Sequence, residues 1–171
     1  MKTGNLRTVL GRAILLMGAA LLALSAFGLF GNGCSRRPET LSKDYDKAEM
    51  EAAIQKGRET FPEFKARLLQ PQPGDANFAI KVKITDKHGT EYFWLTGIQI
   101  QGDQFTGIID DEPGIVRNVK FRQSYSFTFD DVSDWLYLSK GVMQGNYTLR
   151  VLLKSMPAKE AAALKKQFGW E

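Results

Sequence analysis

Cysteine and histidine are almost missing from this sequence of 171 residues, which contains one of each, Cys34 and His88. A single cysteine excludes an internal disulfide bond. A zinc site built from histidine and cysteine is excluded as well, because such sites need three or four of these ligands. His88 lies in Lys87-His88-Gly89, a stretch typical of a solvated turn. We therefore expect no bound metal.

Sequence motifs for catalysis are also missing. The chain has no glycine-rich phosphate loop and no nucleophile beside a base. The acidic runs Asp110-Asp111-Glu112 and Asp130-Asp131 match no calcium-binding loop in their spacing, and we interpret them as turn edges. We expect no catalytic residue and no cofactor. The sequence does not decide whether the protein is an enzyme, but the lack of catalytic motifs argues against enzymatic activity.

An excess of positive charge is confined to the start of the chain. Residues 1–33 contain Lys2, Arg7 and Arg12 and no acid, and an uncharged run extends from Ala13 to Gly33. This arrangement is typical of a bacterial export signal. Without those three side chains the 23 basic residues fall to 20, against 19 acidic ones. Net charge therefore gives no indication of nucleic-acid binding.

Cys34 directly follows the uncharged run, at the place where a bacterial lipoprotein signal has its acylated cysteine. The sequence favours lipidation of Cys34, with an uncleaved membrane anchor or a conventionally cleaved signal peptide as alternatives. In both attached forms the domain would face the periplasm or the exterior. We interpret residues 1–33 as the signal or anchor, residues 34–45 as a polar tether and residues 46–171 as the folded domain.

Hydrophobic periodicity predicts helices at both ends of this domain. Asp46 followed by Glu49 indicates a helix start, and Pro62 is expected to end that helix near Thr60. A second short helix is predicted from Glu63 to Leu69. One C-terminal helix is predicted with Pro157 just inside its start and Gly169 just past its end.

Between these helices the hydrophobic period changes to two, which is typical of strands. Strands are predicted for residues 78–85, 92–100, 105–109, 119–129 and 131–137. Consecutive strands joined by short loops indicate an antiparallel meander. The predicted fold is therefore α+β, with a sheet of five to six strands that is either flat or curled into a partly open barrel.

Aromatic and branched residues are densest between Asp131 and Lys154. Side chains alternate from Tyr147 to Lys154, so we interpret this segment as the second strand of a hairpin that begins with 131–137. Asp134 and Arg150 would then be cross-strand neighbours, forming a structural ion pair or part of a surface that binds a partner. Trp, Tyr and Arg are enriched among residues that dominate binding energies. The candidate patch consists of Asp134, Trp135, Tyr137, Tyr147 and Arg150.

Several segments of the domain together form a pattern that extends from about Glu49 to Trp170. They include Phe61-Pro62-Glu63-Phe64, Glu91-Tyr92-Phe93-Trp94-Leu95, Asp110-Asp111-Glu112-Pro113, Ser133-Asp134-Trp135-Leu136-Tyr137 and Gly145-Asn146-Tyr147-Thr148. In this order the segments resemble the YegJ-like family of bacterial proteins of unknown function, DUF2314. Arg122-Gln123 stands where similar sequences have Gly-Asp. The resemblance implies no activity, because none is established for the family.

The function most consistent with these observations is a membrane-tethered, non-enzymatic binding module of the cell envelope. Its expected partners are the membrane, through the N-terminal lipid or apolar anchor, and a protein or envelope component. A small carboxylate-dependent hydrolase is one alternative, because catalytic carboxylate pairs are assembled in space and leave no fixed spacing in the sequence. An inhibitor or immunity-type protein is the other.

Overall fold

The computed structural model describes residues 45–170. It contains three helices and six strands, in agreement with the predicted α+β class. In chain order these are α1 (Lys47–Leu69), β1 (Asp75–Asp86), β2 (Gly89–Gln101), β3 (Gln104–Ile109), β4 (Ser124–Phe127), β5 (Val132–Ser139), β6 (Val142–Gly145), α2 (Tyr147–Ser155) and α3 (Ala158–Gln167). The predicted signal or anchor, Cys34 and the tether up to residue 44 lie outside the described residues.

The six strands form one antiparallel sheet in the order β4-β3-β2-β1-β5-β6. The first four strands follow one another as a meander. β5 then pairs with β1, so the chain passes from one edge of the sheet toward the other between β4 and β5. Because β4 and β6 are not paired with each other, the sheet is open and does not close into a barrel.

One face of the sheet carries the main core. Register places Ile80 of β1 opposite Leu95 of β2 and Trp135 of β5, and Val82 lies opposite Phe93. These side chains are buried, the Trp135 ring with 5% of its surface exposed and the others with none. Full burial of an aliphatic or phenyl side chain contributes about 1.5 to 3 kcal/mol to stability. The same cluster includes Phe61 and Phe64 of α1 and Val116 and Val119 of the β3–β4 loop.

Helix α1 begins as predicted, because the Asp46 carboxylate accepts hydrogen bonds from the backbone N–H groups of Ala48 and Glu49. The prediction that Pro62 ends the helix is wrong, since α1 continues to Leu69. A proline inside a helix costs a backbone hydrogen bond and frees a carbonyl in the preceding turn. The carbonyl that Pro62 frees is that of Arg58, four residues earlier, and the neighbouring Gly57 carbonyl accepts a hydrogen bond from Trp135 Nε1 at 2.9 Å. This tertiary contact and the burial of Phe64 stabilise the helix through the proline.

Gly57 marks the point at which α1 passes the edge of β5. A Cβ atom at this position would lie 3.2 Å from the Ser133 carbonyl oxygen and 3.3 Å from Asp134 Cα. Consecutive residues of a strand point their side chains to opposite faces. Gly57 is nevertheless close to two consecutive residues of β5: an added Cβ would lie 3.3 Å from Asp134 Oδ1, and the Gly57 carbonyl accepts a hydrogen bond from Trp135 Nε1. The helix therefore crosses the open part of the β5 edge, where β6 does not pair with it.

The segment from Tyr147 to Lys154 is a helix, so its prediction as a strand is wrong. Its buried side chains include Thr148, Val151 and Leu152, which have the i, i+3, i+4 spacing of a helix face. Tertiary packing on this face overrides the β propensity of the branched and aromatic residues. Two helices, α2 and α3, therefore follow the sheet where one was predicted.

The loop from residue 110 to residue 123 is anchored by acidic side chains of neighbouring strands. Glu91 accepts hydrogen bonds from the backbone N–H groups of Gly114, Ile115 and Val116. The predicted strand over 119–129 is shorter than expected, because β4 starts at Ser124 after this loop. Arg122 has a φ of 63°, a left-handed conformation that suits the glycine of similar sequences.

Candidate functional site

Asp134 lies in β5 with a fully buried side chain. Its Oδ1 accepts a hydrogen bond from the Trp135 backbone N–H at 2.8 Å. Oδ2 accepts from both the backbone N–H and the hydroxyl of Thr148, each at 2.7 Å. Thr148 is in the first turn of α2, where backbone N–H groups have no partner within the helix. Asp134 therefore caps α2 across the fold, a role that the side chain of the N-cap residue Asn146 does not fill.

Lys81 is the cation closest to this buried carboxylate in the sheet register, directly opposite Asp134 on β1. It is itself buried, and its Nζ lies 3.5 Å from Thr148 Oγ1 and 5.6 Å from the centre of the Trp94 ring. Burial raises the pKa of Asp134, while the hydrogen bonds from Thr148 and Trp135 and the charge of Lys81 act in the opposite direction. Asp134, Thr148 and Lys81 thus form a connected polar cluster inside the fold.

Trp135 points to the other side of β5, into the main core. Its ring stacks on Phe64 with 5.2 Å between centroids, and Tyr147 meets it edge-on at 5.7 Å. Tyr137, two residues along the same face, stacks on Phe78 at 5.1 Å. The aromatic residues of the predicted patch therefore pack mainly against one another and against the core.

Arg150 does not approach Asp134 as a cross-strand neighbour, because it lies on α2. Its Nε and Nη2 each donate to the Gly145 carbonyl oxygen at 3.3 Å. Its guanidinium carbon lies 3.9 Å from the centre of the Trp170 ring, which is a close cation–π contact. The aromatic partner of Arg150 is therefore Trp170 near the end of the chain.

The five residues of the predicted patch differ in how deeply they are buried. Asp134 and Trp135 are inside the protein, so a partner could not touch them in this conformation. Tyr137 and Tyr147 are half-buried, and Arg150 is exposed. Binding of a partner by these three residues stays a prediction. Trp94 of β2, on the opposite side of the sheet from Trp135, is half-buried.

Residues missed by the sequence analysis lie at the edge formed by β6. The Met143 backbone N–H donates to the Phe168 carbonyl oxygen at 2.9 Å, and Trp170 Nε1 donates to the Met143 carbonyl oxygen at 2.7 Å. Gly169, between the two aromatic residues, has a φ of 68°. The sequence Phe168-Gly169-Trp170 predicts the end of a helix through its glycine, but it does not predict the contact with β6.

Other acidic residues bind backbone groups or arginine side chains. Asp86 accepts hydrogen bonds from the backbone N–H groups of Arg117 and His88, which lowers its pKa. Asp110 Oδ1 lies 3.4 Å from Arg122 Nη1. Asp130 Oδ1 lies 3.5 Å from Arg58 Nη2. Among residues 45–170, no group of three or more His, Cys, Asp or Glu side chains is placed to hold a metal ion. No helix in this range has the length and apolar character needed to cross a membrane.

Comparison with known proteins places the domain in a family. The profile described as "Uncharacterized protein conserved in bacteria (DUF2314)" matches residues 47–171. The chain belongs to the DUF2314 family. It is 36% identical over 150 residues to "Uncharacterized protein YegJ" of Escherichia coli (strain K12), a match that covers 87% of this chain and 97% of the relative.

A second similarity covers a shorter part of the chain. The chain is 30% identical over 70 residues to "Putative ankyrin repeat protein NMB1133/NMB1171" of Neisseria meningitidis serogroup B (strain ATCC BAA-335 / MC58). That match covers 41% of this chain and 28% of the relative. No solved structure matches the chain.

Polar residues within the segments that carry the DUF2314 resemblance bind backbone groups. Asp111 accepts a hydrogen bond from the Trp94 backbone N–H at 2.8 Å, and Glu91 holds three consecutive N–H groups of the β3–β4 loop. Asp134 caps α2, and Trp135 binds the Gly57 carbonyl. These side chains position the loop and both helices against the sheet, so their roles are structural.

Proposed function

We propose that this DUF2314 protein is a lipid-anchored, non-enzymatic binding module of the cell envelope that faces the periplasm or the exterior. The observation that carries the location is the order of features in the sequence. A basic start and an uncharged run precede Cys34, and a polar segment of about 11 residues separates Cys34 from the start of the folded domain. A diacylated cysteine at this position would hold the domain close to the membrane surface.

Two buried acids, Asp134 and Glu91, bear on the alternative of a carboxylate-dependent hydrolase. A catalytic carboxylate must be within hydrogen-bond reach of its substrate. Asp134 is fully buried and already accepts three hydrogen bonds from protein groups, whereas Glu91 accepts four from the β3–β4 loop. Both carboxylates therefore have structural partners where a carboxylate-dependent hydrolase would need an accessible pair.

The location is tested by expressing the full chain in a bacterium and measuring intact mass and membrane fractionation, with Cys34→Ser beside the wild type. We expect a wild-type species that begins at Cys34, carries an attached diacylglyceryl group and sediments with the membrane. Cys34→Ser should lack both the processing and the lipid. Ser42→Ala is the matched control, because it removes a hydroxyl from the same polar segment and should be processed as the wild type is.

Two results would contradict attachment through a lipid on Cys34. An unmodified full-length chain in both proteins would indicate an uncleaved anchor instead of a lipid. A soluble chain without the leader would indicate ordinary export, with no attachment to the membrane.

A further inference from the structure

The loop between β3 and β4, residues 110–123, has a backbone fixed by side chains although it contains no helix or strand. Loops this long without secondary structure are uncommon in compact domains, and many of them bind partners. Glu91 accepts hydrogen bonds from three consecutive N–H groups of the loop, and Asp86 accepts from the Arg117 N–H at 2.6 Å. Because two strands hold the loop in place, a partner would bind it with little loss of conformational entropy.

The loop ends in a tight turn at residues 120–123. The Gln123 N–H donates to the Lys120 carbonyl oxygen at 3.1 Å, and the Lys120 N–H donates to Gln123 Oε1 at 2.9 Å. The Arg122 N–H donates to the Ile109 carbonyl oxygen at 2.9 Å, which attaches the turn to the end of β3. Backbone and side-chain hydrogen bonds therefore both hold this turn closed.

Arg122 occupies the place in this turn where glycine would be the least strained residue. Its φ of 63° is left-handed, a conformation that is unfavourable for a residue with a Cβ atom. Strained residues of this kind are concentrated at functional sites. The side chain of Arg122 is 65% exposed, and its guanidinium carbon lies 5.2 Å from the centre of the Phe121 ring. The turn thus presents an arginine and an aromatic ring together to the solvent.

Positive charge predominates around this turn. Three exposed cations lie within six residues of the chain, namely Arg117, Lys120 and Arg122. No acidic residue occurs from residue 113 to residue 129, because the acids of the loop are confined to its first three residues. Of these, Asp111 accepts a hydrogen bond from the Trp94 N–H, and Asp110 pairs with Arg122. Phe121 adds an apolar ring that is 37% exposed. The surface therefore combines cations with one exposed apolar group.

We propose that the 120–123 turn, together with Arg117, binds a short acidic segment of a partner protein. This inference rests on the proposed binding role and names its partner class. Carboxylates of the segment would accept charge-assisted hydrogen bonds from the two arginines and Lys120. An apolar residue between the carboxylates would pack on Phe121.

An anionic membrane surface fits this turn less well than an acidic peptide segment does. A membrane is broad and would also meet the acids of the domain, whose charges nearly balance, since 20 basic and 19 acidic residues follow residue 33. A short segment can contact the three cations alone. The local cluster of charge therefore favours a small acidic partner.

The test measures binding of a fluorescent peptide, in which glutamate alternates with leucine, to the full-length chain in detergent micelles. Arg122→Gly should weaken binding at least about tenfold, because arginines at the centre of a binding surface contribute strongly to affinity. Glycine adopts a left-handed conformation without strain, so this variant should melt at the temperature of the wild type or above it. Arg122→Asn, which also tolerates this conformation, should weaken binding in the same way.

Two controls separate the turn from general effects of charge. Lys159→Ala removes an exposed cation from α3 and should leave the affinity for the peptide unchanged. A peptide with glutamine in place of glutamate keeps the length and the leucines, and it should not bind. Amide NMR spectra of the wild type should show the largest peptide-induced shifts at Phe121 and Arg122, with the signals of Trp135 and Thr148 unchanged.

Four results would overturn the proposal: no binding of the acidic peptide, equal affinity for the wild type and Arg122→Gly, equal binding of the glutamine peptide, or shifts away from the turn. The same shifts on adding phosphatidylglycerol to peptide-free micelles would assign the turn to anionic lipid and overturn it too. None of these outcomes alters the Cys34 result, so the two proposals fail separately.

Discussion

Replacing Asp134 with alanine should lower the free energy of unfolding by about 3 to 5 kcal/mol, because a buried charge cluster loses one partner. The N–H and hydroxyl of Thr148 and the N–H of Trp135 would lose their acceptor inside the protein. Buried Lys81 would lose its nearby negative charge. Helix α2 would also lose its cap. Urea unfolding followed by circular dichroism measures this change directly.

Two comparison variants separate the buried carboxylate from general effects of losing an acid. Asp134→Asn keeps the shape but turns an N–H₂ group toward an N–H donor, so we expect a loss of about 1 to 3 kcal/mol. Asp103→Ala removes an exposed acid from the β2–β3 turn and should change the free energy of unfolding by less than about 0.5 kcal/mol. A loss for Asp134→Ala no larger than that for Asp103→Ala would contradict a structural role for Asp134.

The pH dependence of stability tests the burial of Asp134 in a second way. Burial raises the folded-state pKa of Asp134 above its ordinary value of 3.8, so the folded protein takes up a proton first as pH falls. The resulting stabilisation is complete below pH 3.8 and is lost as pH rises through the raised pKa. The stability of the wild type relative to Asp134→Asn should therefore decrease with rising pH. Asp86, whose pKa is lowered, is common to both proteins and cancels in the difference.

Replacing Gly145 with alanine should lower the free energy of unfolding by about 2 to 5 kcal/mol, from left-handed backbone strain of about 1 to 2 kcal/mol plus steric overlap. Gly145 has a φ of 71° at the end of β6. An added Cβ would overlap the Trp135 carbonyl oxygen and lie 2.5 Å from Trp135 Cε3. Neither atom can move easily, since the carbonyl accepts from the Asn146 N–H and the ring is packed in the core.

Gly102 provides the matched control for this substitution. It has a φ of 62°, but an added Cβ would meet nothing within 4 Å. Gly102→Ala should therefore show only the backbone strain of about 1 to 2 kcal/mol. Thermal or urea unfolding of both variants measures the steric part as the difference between them. Equal losses would mean that Gly145 is not packed tightly against Trp135.

Short-range patterns predicted β1, β2, β3 and β5 but failed where a distant residue decides the local structure. Alternation from Phe78 to Thr85 identified β1, because Ile80, Val82 and Ile84 share one buried face. The other face was predicted to be wet, yet Ala79 and Lys81 on it are buried too. Tyr147 to Lys154 alternates equally well, yet it forms α2, whose first turn is capped by Asp134 from another strand. Pro62 was expected to end α1, but Trp135 provides a hydrogen bond to the turn before it. Such contacts over about 14 or 78 residues have no local signal.

The same limit applies to the candidate site. Asp134 was recognised because a carboxylate in an apolar run is unusual, and it does lie at the centre of a buried polar cluster. Arg150 was assigned to Asp134 only because α2 had been interpreted as a strand. Its contact with Trp170 depends on the turn at Gly169 and on the docking of the tail against β6. Neither feature follows from spacing along the chain.

The central claim is that the buried polar residues of β5 hold the domain together, whereas the tail after α3 contacts β6 through a few hydrogen bonds at its tip. Native-state hydrogen exchange by NMR tests it most directly. We predict that the Met143 N–H and the Trp170 indole N–H exchange through a local opening, faster than the Trp135 and Thr148 amides, which need global unfolding. If all four groups exchanged with the same free energy of opening, the tail after α3 would be an integral part of the fold and the claim would be wrong.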